Sequence, residues 1–358
     1  MKSRILKLQE GLTQPGEAAL VLSDVNRFYL SGFASSAGAV FITRKAAYLL
    51  VDFRYGEAAQ KQVKDLDVVV FDSLSQQLCT LAKRHRVKKV YLEGATVSVK
   101  QANVFKKSFR AIDVKTACDD ALDLLLSNMR MIKGRAEILK IKEAQRITEE
   151  AYLDILNFIR PGVTERDIAL ELEFSMRKRG AQRVAFDLIT IAGKKTSLPH
   201  GVPGTSAVCA GDFVTMDIGA VYEGYHSDMT RTVAVSYVTD KQAEIYNLVL
   251  QAQQSALAKI KSGVTGHCID RAARDVIEQA GYGQCYKHAT GHGVGLLIHE
   301  EPRLSQNSPT ILSSGMVVTV EPGIYLPGEF GVRIEDMVAV TKNGCRNLTG
   351  VSKELLIL

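Results

Sequence analysis

The pattern of apolar positions divides the chain into two regions. Over residues 1–128, short apolar runs alternate with helical stretches. The runs predict strands at 19–25, 39–42, 47–52, 68–71 and 89–92, and the stretches between them predict helices near 55–64, 74–85 and 99–107. Because alternation of strands and helices is typical of α/β architecture, we expect an α/β domain over residues 1–128.

From residue 129 onward the pattern changes to longer helical periods. Apolar residues recur at helical spacing from Ile138 to Ile155, and the pattern ends at Pro161 and Gly162. Thr164-x-x-Asp167 and Thr239-x-x-Gln242 are typical of capping boxes, which predict helices ending near residues 180 and 262, and a further helix is expected over 265–281. We therefore expect a second domain over residues 129–358.

The second domain contains an internal repeat. Ile159–Thr164 matches Ile260–Thr265 at an offset of 101, and Gly211–Gly219 matches Gly315–Gly323 at an offset of 104. In the first copy the strand that follows Asp228 runs into Val233–Val235, and in the second the strand that follows Glu335 runs into Val338–Val340. These matches predict a duplicated helix–helix–strand–strand unit. A pseudo-two-fold arrangement of the two copies would bring together the acidic positions of both, which are Asp217, Asp228, Glu321 and Glu335.

Composition narrows the class of protein. The 358 residues are 46% hydrophobic and 23% charged, which supports packed cores and excludes a disordered tail. No apolar run approaches the ~18 residues needed to span a bilayer, and no secretory signal is visible at the N-terminus. Six scattered cysteines without a C-x-x-C pair suit a reducing compartment. A cytoplasmic protein without a membrane partner is expected.

The net charge of +6 lies entirely in the first domain. Residues 1–128 hold 19 Lys and Arg against 13 Asp and Glu, and residues 129–358 hold 26 against 26. Basic clusters at 83–89 and 100–110 are compatible with an anion- or nucleic-acid-binding surface. The chain has no Trp, RNA-binding signature or zinc-finger spacing, so we favour solvated helix faces and expect no nucleic-acid partner.

The four repeat-related acids follow or precede apolar strands. Residues 222–225 predict a hairpin turn that brings Asp217 close to Asp228, and alternation over 332–340 predicts that Arg333 and Glu335 share one face of a strand. A buried carboxylate costs several kcal/mol unless a cation offsets it. Any one of these acids alone is compatible with an exposed turn or a salt bridge. Four at repeat-related positions favour a metal site.

Histidines strengthen the prediction of a metal site. Three of seven, His288, His292 and His299, fall in one short segment that is glycine-rich around His292, and His200 lies in a Pro- and Gly-containing loop. For His226 and His267 we expect hydrogen-bonded core positions. Four carboxylates and one imidazole without cysteine form a hard ligand set that disfavours structural zinc and lacks the calcium-loop pattern. Such a set suits two divalent ions, and Mn(II), Co(II) or Zn(II) would fit.

These residues resemble the dinuclear metal site of the Xaa-Pro peptidases, the aminopeptidase P and prolidase group with the pita-bread fold. Asn26–Phe33 and Asp52–Tyr55 resemble the creatinase-type N-terminal domain of that family. The resemblance implies an α+β chain: a creatinase-type α/β domain over 1–128, then a pita-bread catalytic domain with a pseudo-two-fold repeat over 129–358. One departure is His226, where relatives often carry a small or thiol residue; it puts no metal ligand in doubt.

The resemblance also implies roles for the metal ligands. Asp228 and Glu335 would bridge two ions, Asp217 would hold one ion, and His292 and Glu321 would hold the other. Glu321 would also take the proton of the attacking water. Mn(II) or Co(II) are the expected cofactors, with Zn(II) as the third option.

Five further residues are candidate catalytic or substrate-binding groups. His288 and His299 match the substrate-contacting and proton-shuttling histidines of the family, and His200 matches the one that steadies the tetrahedral intermediate. Arg333 matches a residue that orients the metal-bridging carboxylate. Arg303, four residues after His299, is a candidate partner for a substrate carboxylate.

The expected activity is hydrolysis of the bond between an N-terminal residue and a following proline in short peptides. A homodimer is expected, in which residues 24–55 reach the partner's cleft. Two alternatives are a methionyl-aminopeptidase-like enzyme, which ordinarily lacks the first domain, and a catalytically silent pita-bread binding module, which usually has lost ligands. Creatinase shares both domains but lacks the ligand set. The preference for dipeptides or longer chains, the residue preferred before proline and the physiological metal stay open.

Overall fold

A computed structural model describes residues 1–358, which form two compact units, Met1–Arg130 and Met131–Leu358. The domain boundary predicted after residue 128 falls inside the helix Ala121–Met131. The apolar pattern of that helix runs through its whole length, so the sequence carries no mark of where the first unit ends. No helix in either unit has both the length and the apolar character to cross a bilayer.

The first unit is a six-stranded mixed sheet with helices. The sheet order is β4-β3-β2-β1-β5-β6, with β1–β2 and β2–β3 antiparallel and the other pairs parallel. The strands are β1 (Glu17–Val21), β2 (Ala39–Thr43), β3 (Ala47–Val51), β4 (Asp67–Val70), β5 (Lys89–Leu92) and β6 (Lys115–Ala117). The helices are α1 (Lys2–Gly11), α2 (Asp24–Ser31), α3 (Phe53–Gln62), α4 (Leu74–Arg84), α5 (Val99–Arg110) and α6 (Ala121–Met131).

One predicted strand of the first unit is too long. The run 19–25 predicts a single strand, but β1 ends at Val21 because Ser23 caps α2 and its hydroxyl accepts from the Asn26 amide. The buried Glu93 carboxylate accepts from the Leu22 and Ser23 amides and stabilises the same break. A residue 70 positions away in the sequence therefore stabilises the end of the strand together with the local Ser23 cap.

The second unit packs four helices against several small sheets. The helices are α7 (Arg135–Ile155), α8 (Glu165–Lys178), α9 (Asp240–Lys259) and α10 (Gly266–Gln279), and two 3-10 turns span Gly193–Ser197 and Gly283–Cys285. The sheet orders are β11-β10-β7, β12-β9-β8, β14-β13-β15-β18-β19 and β16-β17. The strands are β7 (Arg183–Val184), β8 (Ile189–Ala192), β9 (Phe213–Ile218), β10 (Ala220–Tyr222), β11 (Tyr225–His226), β12 (Met229–Ala234), β13 (Gly291–Gly293), β14 (Glu300–Leu304), β15 (Val317–Val320), β16 (Gly323–Leu326), β17 (Phe330–Arg333), β18 (Asp336–Val340) and β19 (Cys345–Asn347).

The internal repeat is visible in the backbone. Thr164 caps α8 and bridges Ala207, and Thr265 caps α10 and bridges Ile311, which are the equivalent pairs at the sequence offsets of 101 and 104. The antiparallel pair β9–β12 of the first copy corresponds to β15–β18 of the second. The capping boxes predicted at Thr164 and Thr239 are both confirmed.

Each copy has its own apolar core. In the first copy, Ile168, Leu172 and Met176 of α8 pack in one buried cluster with the apolar side chains of β9. In the second copy, the equivalent face of α10 packs in a second cluster with β15.

The strand predicted over 332–340 is interrupted. β17 ends at Arg333 and pairs with β16, whereas β18 begins at Asp336 and pairs with β15. Between them, the Ile334 amide donates to the Pro322 carbonyl and the Glu335 amide donates to the Thr230 carbonyl. Glu335 thus lies where the chain passes from one sheet to another.

Candidate metal centre

The five predicted ligand residues come together in the second unit from separate elements. Asp217 lies near the end of β9 and pairs in register with Thr230 of β12, two residues after Asp228. The hairpin that joins them turns through Glu223 and Gly224, both with positive φ, as the sequence predicts. The remaining three lie on the second copy: His292 in β13, Glu321 directly after β15, and Glu335 between β17 and β18.

These side chains are close and mostly buried. The Nε2 atom of His292 lies 3.2 Å from Glu321 Oε1 and 3.5 Å from Asp228 Oδ2. Ligand atoms of Asp228, His292 and Glu335 all lie within 4.8 Å of one another. All five residues line one cavity of about 290 Å³, together with His200 and His299.

The donor set fits divalent cations. Asp217 Oδ1 is buried and has no hydrogen-bond partner, so it is an acceptor oriented for a ligand other than the protein. Burial, followed by repulsion from neighbouring carboxylates, raises the pKa of Asp228 and of Glu335 well above the usual range. A cation between the two carboxylates would reverse both effects, which is how buried acidic clusters are stabilised in the ionised form.

Glu321 differs from the bridging candidates. Burial alone would raise its pKa, but the hydrogen bond and charge of His292, with the charges of His288 and Arg333, lower the pKa of Glu321 to about 2. For Asp217, burial raises the pKa while the Arg333 guanidinium opposes that rise. Glu321 is therefore the carboxylate of the cluster whose pKa the neighbouring charges lower, whereas the pKa values of Asp217, Asp228 and Glu335 are raised.

A buried arginine connects the two halves of the site. Arg333 Nη2 donates to Asp217 Oδ2 at 2.7 Å, and its Nε donates to Thr230 Oγ1 at 3.2 Å. The Thr230 hydroxyl in turn donates to Glu335 Oε2 at 2.7 Å. Arg333 and Glu335 thus face the same side although they belong to no common strand.

Three residues of this network were not predicted. Thr230 lies two residues after Asp228 and Thr319 two residues before Glu321, so period-two alternation from the acids could have found both. The Thr319 hydroxyl donates to Glu321 Oε1 at 3.1 Å. Tyr325, whose hydroxyl accepts from Arg333 Nη1 at 2.9 Å, follows from no local pattern because β16 reaches the site only through its pairing with β17.

The candidate histidines surround the same cavity. The rings of His292 and His299 meet edge to face with centroids 4.4 Å apart. His288 Nε2 lies 3.0 Å from the Tyr325 hydroxyl, and His200 lines the cavity from an exposed loop. Burial lowers the pKa of His288 and of His299, which favours the neutral form of both rings.

Arg303 lies at the solvent-exposed side of the site. It pairs in register with His292 across β13 and β14, its side chain is exposed, and it lines an adjoining cavity of about 280 Å³ with His288, His299 and Tyr325. The structure therefore brings all ten sequence-predicted site residues to two adjoining cavities.

The two remaining histidines of the second unit differ from each other. His226 is buried, its Nδ1 lies 3.2 Å from the Gly295 carbonyl, and burial lowers its pKa to about 4. His267 was expected in the core, and that prediction is wrong: the residue is exposed at the start of α10, where its Nδ1 lies 2.5 Å from the Gln306 carbonyl. An exposed first helical turn explains the difference.

Comparison with known proteins gives matches over nearly the whole chain. The model of metallopeptidase family M24 matches residues 139–342, and that of the creatinase/prolidase N-terminal domain matches residues 4–132. The uncharacterized peptidase YqhT of Bacillus subtilis is 40% identical over 357 residues, covering 99% of this chain and 100% of the relative.

Solved structures agree with these matches. An Xaa-Pro dipeptidase from Bacillus anthracis is 42% identical with a TM-score of 0.95, covering 99% of both chains. An X-Pro aminopeptidase from Thermotoga maritima MSB8 is 36% identical with a TM-score of 0.89, covering 96% of this chain and 97% of the other. The predicted fold class, a creatinase-type domain followed by a pita-bread domain, is confirmed. The chain therefore belongs to metallopeptidase family M24 and carries a creatinase-type N-terminal domain.

Proposed function

We propose that this metallopeptidase hydrolyses the bond between an N-terminal residue and a following proline in short peptides. The observation that carries the proposal is the buried acidic cluster with the unpartnered Asp217 Oδ1, lined by His200, His299 and Arg333 in adjoining cavities. Relatives that bear the names Xaa-Pro dipeptidase and X-Pro aminopeptidase support the substrate class.

The metal part of the proposal is two divalent cations, Mn(II) or Co(II), with Zn(II) as the third option. Asp228 and Glu335 would bridge the two ions, Asp217 would hold one, and His292 and Glu321 would hold the other. When bound, such ions supply an activated water and polarise the scissile carbonyl.

The protein's own groups would then move protons and position the substrate. Glu321 is held ionised, so it can accept a proton from a water in the cavity. Neutral His288 and His299 each carry one donor and one acceptor nitrogen, which suits them to contact the peptide and to pass a proton onward. His200, exposed at the cavity rim, would donate to the developing oxyanion.

Arg333 would act on the ligands rather than on the substrate. It is buried, and its bonds to Asp217 and, through Thr230, to Glu335 keep one carboxylate of each repeat copy in place.

The proposed substrates have proline as their second residue. Proline has no amide N–H, which general peptidases bind, so a site for such peptides needs no acceptor for that group.

The two alternatives are less well supported. A silent binding module is disfavoured because all five ligand positions are present and clustered. A methionyl-aminopeptidase-like enzyme would not explain the match of residues 4–132 to a creatinase/prolidase N-terminal domain.

Substrate selectivity tests the proposal. The Mn(II)-loaded protein should hydrolyse Ala-Pro and Ala-Pro-Ala, with little hydrolysis of Ala-Ala or of a Met-Ala peptide. Preferential release of Met from Met-Ala peptides would favour the methionyl-aminopeptidase alternative, and no hydrolysis of any peptide by metal-loaded protein would favour the binding module.

A further inference from the structure

A buried ion pair lies next to the candidate catalytic histidines. Lys133 Nζ is 3.1 Å from Glu300 Oε2, and the two side chains are only 1% and 3% exposed. Neither residue lines the two cavities of the site. A buried ion pair adds little stability over an apolar pair of the same volume, because desolvation offsets the attraction. Removing one partner, in contrast, leaves the other charge buried and uncompensated.

The pair holds the loop that joins β13 to β14. Glu300 directly follows His299, and its second oxygen, Oε1, accepts from the Leu297 amide at 3.1 Å. One carboxylate thus links the loop at residue 297 to the Lys133 ammonium. The packing is close: a Cβ added at Gly295 would lie 2.7 Å from Glu300 Oε2 and 3.0 Å from Lys133 Cε.

Backbone bonds hold the start of this loop: the Val294 amide donates to the Val317 carbonyl at 3.1 Å, and the Gly295 carbonyl accepts from the His226 amide at 2.9 Å. The pairing of β13 with β14 shifts register between His292 and Gly293, and Gly293 pairs with Glu300. Lys133 itself is anchored, since its amide donates to the Gly315 carbonyl at 2.9 Å. The ion pair therefore connects a fixed backbone position to the end of the loop that carries His299.

We propose that Lys133 is a positioning residue: through Glu300 it holds the 294–299 loop so that His299 stays beside His292. The inference rests on the proposed function, since it assigns His299 to proton handling. Lys133 itself does not contact the substrate. Loss of the pair would let the His299 ring move, and a displacement of about 1 Å in a catalytic group can cost about 100-fold in rate.

The test compares Lys133→Met with Lys133→Arg in the Mn(II)-loaded enzyme. Lys133→Met should lower kcat for Ala-Pro by about 10- to 100-fold with KM within about twofold and metal content unchanged. Amide hydrogen exchange should rise in residues 294–299 and stay unchanged in β9 and β15. Lys133→Arg should restore most of kcat, and Glu300→Gln should reproduce the loss. Lys241→Met, which removes an exposed ion pair with Glu329, is the matched control and should behave as wild type.

Two results would overturn the proposal. Exchange that rises throughout the second unit, with kcat falling only in proportion to the folded fraction, would give Lys133 a purely structural role. Exchange that rises in the loop while kcat is unchanged would separate the loop from catalysis. If the wild type fails to hydrolyse Ala-Pro, the proposed function is wrong, whereas the exchange measurement still shows whether Lys133 holds the loop.

Discussion

At the scale of single residues, we propose that the site separates groups that would hold metal from groups that would handle protons. His292 lies within 3.5 Å of two carboxylates, whereas His299 contacts the His292 ring and His200 reaches the cavity from an exposed loop. His292 is assigned to the metal because its Nε2 atom lies beside the carboxylates, whereas His200 and His299 are assigned to proton handling. The variants of the three residues should therefore differ in metal content.

We predict that His299→Ala and His200→Ala lower kcat about 10²- to 10³-fold while metal content stays near that of wild type. His292→Ala should lose metal, since its imidazole lies within 3.5 Å of two of the proposed carboxylate ligands. Steady-state kinetics with elemental analysis of each variant checks this. An equal loss of metal in all three would contradict the separation.

Arg303 is predicted to recognise the free carboxylate of a dipeptide. Its side chain is exposed and lines the cavity that holds His288 and Tyr325, so it can form a charge-assisted pair with a carboxylate after proline. Arg303→Ala should lower kcat/KM for Ala-Pro about tenfold more than for Ala-Pro-Ala. Equal losses for the two substrates would remove Arg303 from carboxylate recognition.

The sequence reveals the chemistry of the site better than its connections. The acids and histidines follow from repeat spacing and local motifs, whereas Tyr325, Lys133 and Glu300 act through contacts between segments far apart in the chain. Lys133, for example, is buried just before α7, and no sequence pattern around it distinguishes it from a lysine exposed to solvent.

At the scale of elements, the duplicated helix starts provide an internal comparison. The Thr164 hydroxyl accepts from the Asp167 amide and donates to the Asp167 carboxylate. The Thr265 hydroxyl accepts from the Cys268 amide, and the cysteine at that position provides no carboxylate to complete a capping box. The first copy therefore has a complete capping box, and the second has only the hydrogen bond to the threonine hydroxyl.

We predict that Thr164→Ala destabilises the protein by about 1 kcal/mol or more, and that Thr265→Ala costs less, because it breaks one capping bond instead of a reciprocal pair. Urea unfolding of the two variants under identical metal-free conditions measures the difference. A larger loss for Thr265→Ala would show that contacts other than the capping box dominate.

Periodic elements are the ones that the sequence predicts well. The four helices of the second unit and five of the six strands of the first lie where alternation and capping motifs predict them. The elements that were missed are α1, α2, α6 and β6 in the first unit and β7, β8, β13, β14, β16 and β19 in the second. In α1, only Ile5 and Leu8 are buried, which leaves too little apolar periodicity to detect. The break at residues 334–335 was missed because one apolar run serves two sheets.

At the scale of the whole molecule, we propose a homodimer in which residues 24–55 reach the partner's cleft. Phe53 supports this proposal, because its side chain is 82% exposed at the start of α3, beside the Asp52 that caps the helix. Aromatic residues are enriched in protein–protein interfaces, so this exposed side chain within residues 24–55 is the position that we select to test the dimer.

Phe53→Asp should therefore shift the protein toward a monomer and lower its activity, as measured by light scattering coupled to size exclusion. The matched control is Phe174→Asp, which places the same charge on an exposed residue of α8 and should leave the dimer intact. A fully active wild-type monomer at micromolar concentration would contradict the dimer proposal.

The central claim is that the acidic cluster binds two divalent ions and that activity depends on them. The most direct measurement is a Mn(II) titration of chelator-treated protein that follows bound metal and Ala-Pro hydrolysis together, with Asp228→Asn and Glu335→Gln as variants. We predict that activity is lost on chelation and returns as two ions bind per chain, and that both variants stay folded but inactive, since each replaces a carboxylate that would bridge the two ions. Full activity in either variant, or in metal-free wild type, would contradict the claim.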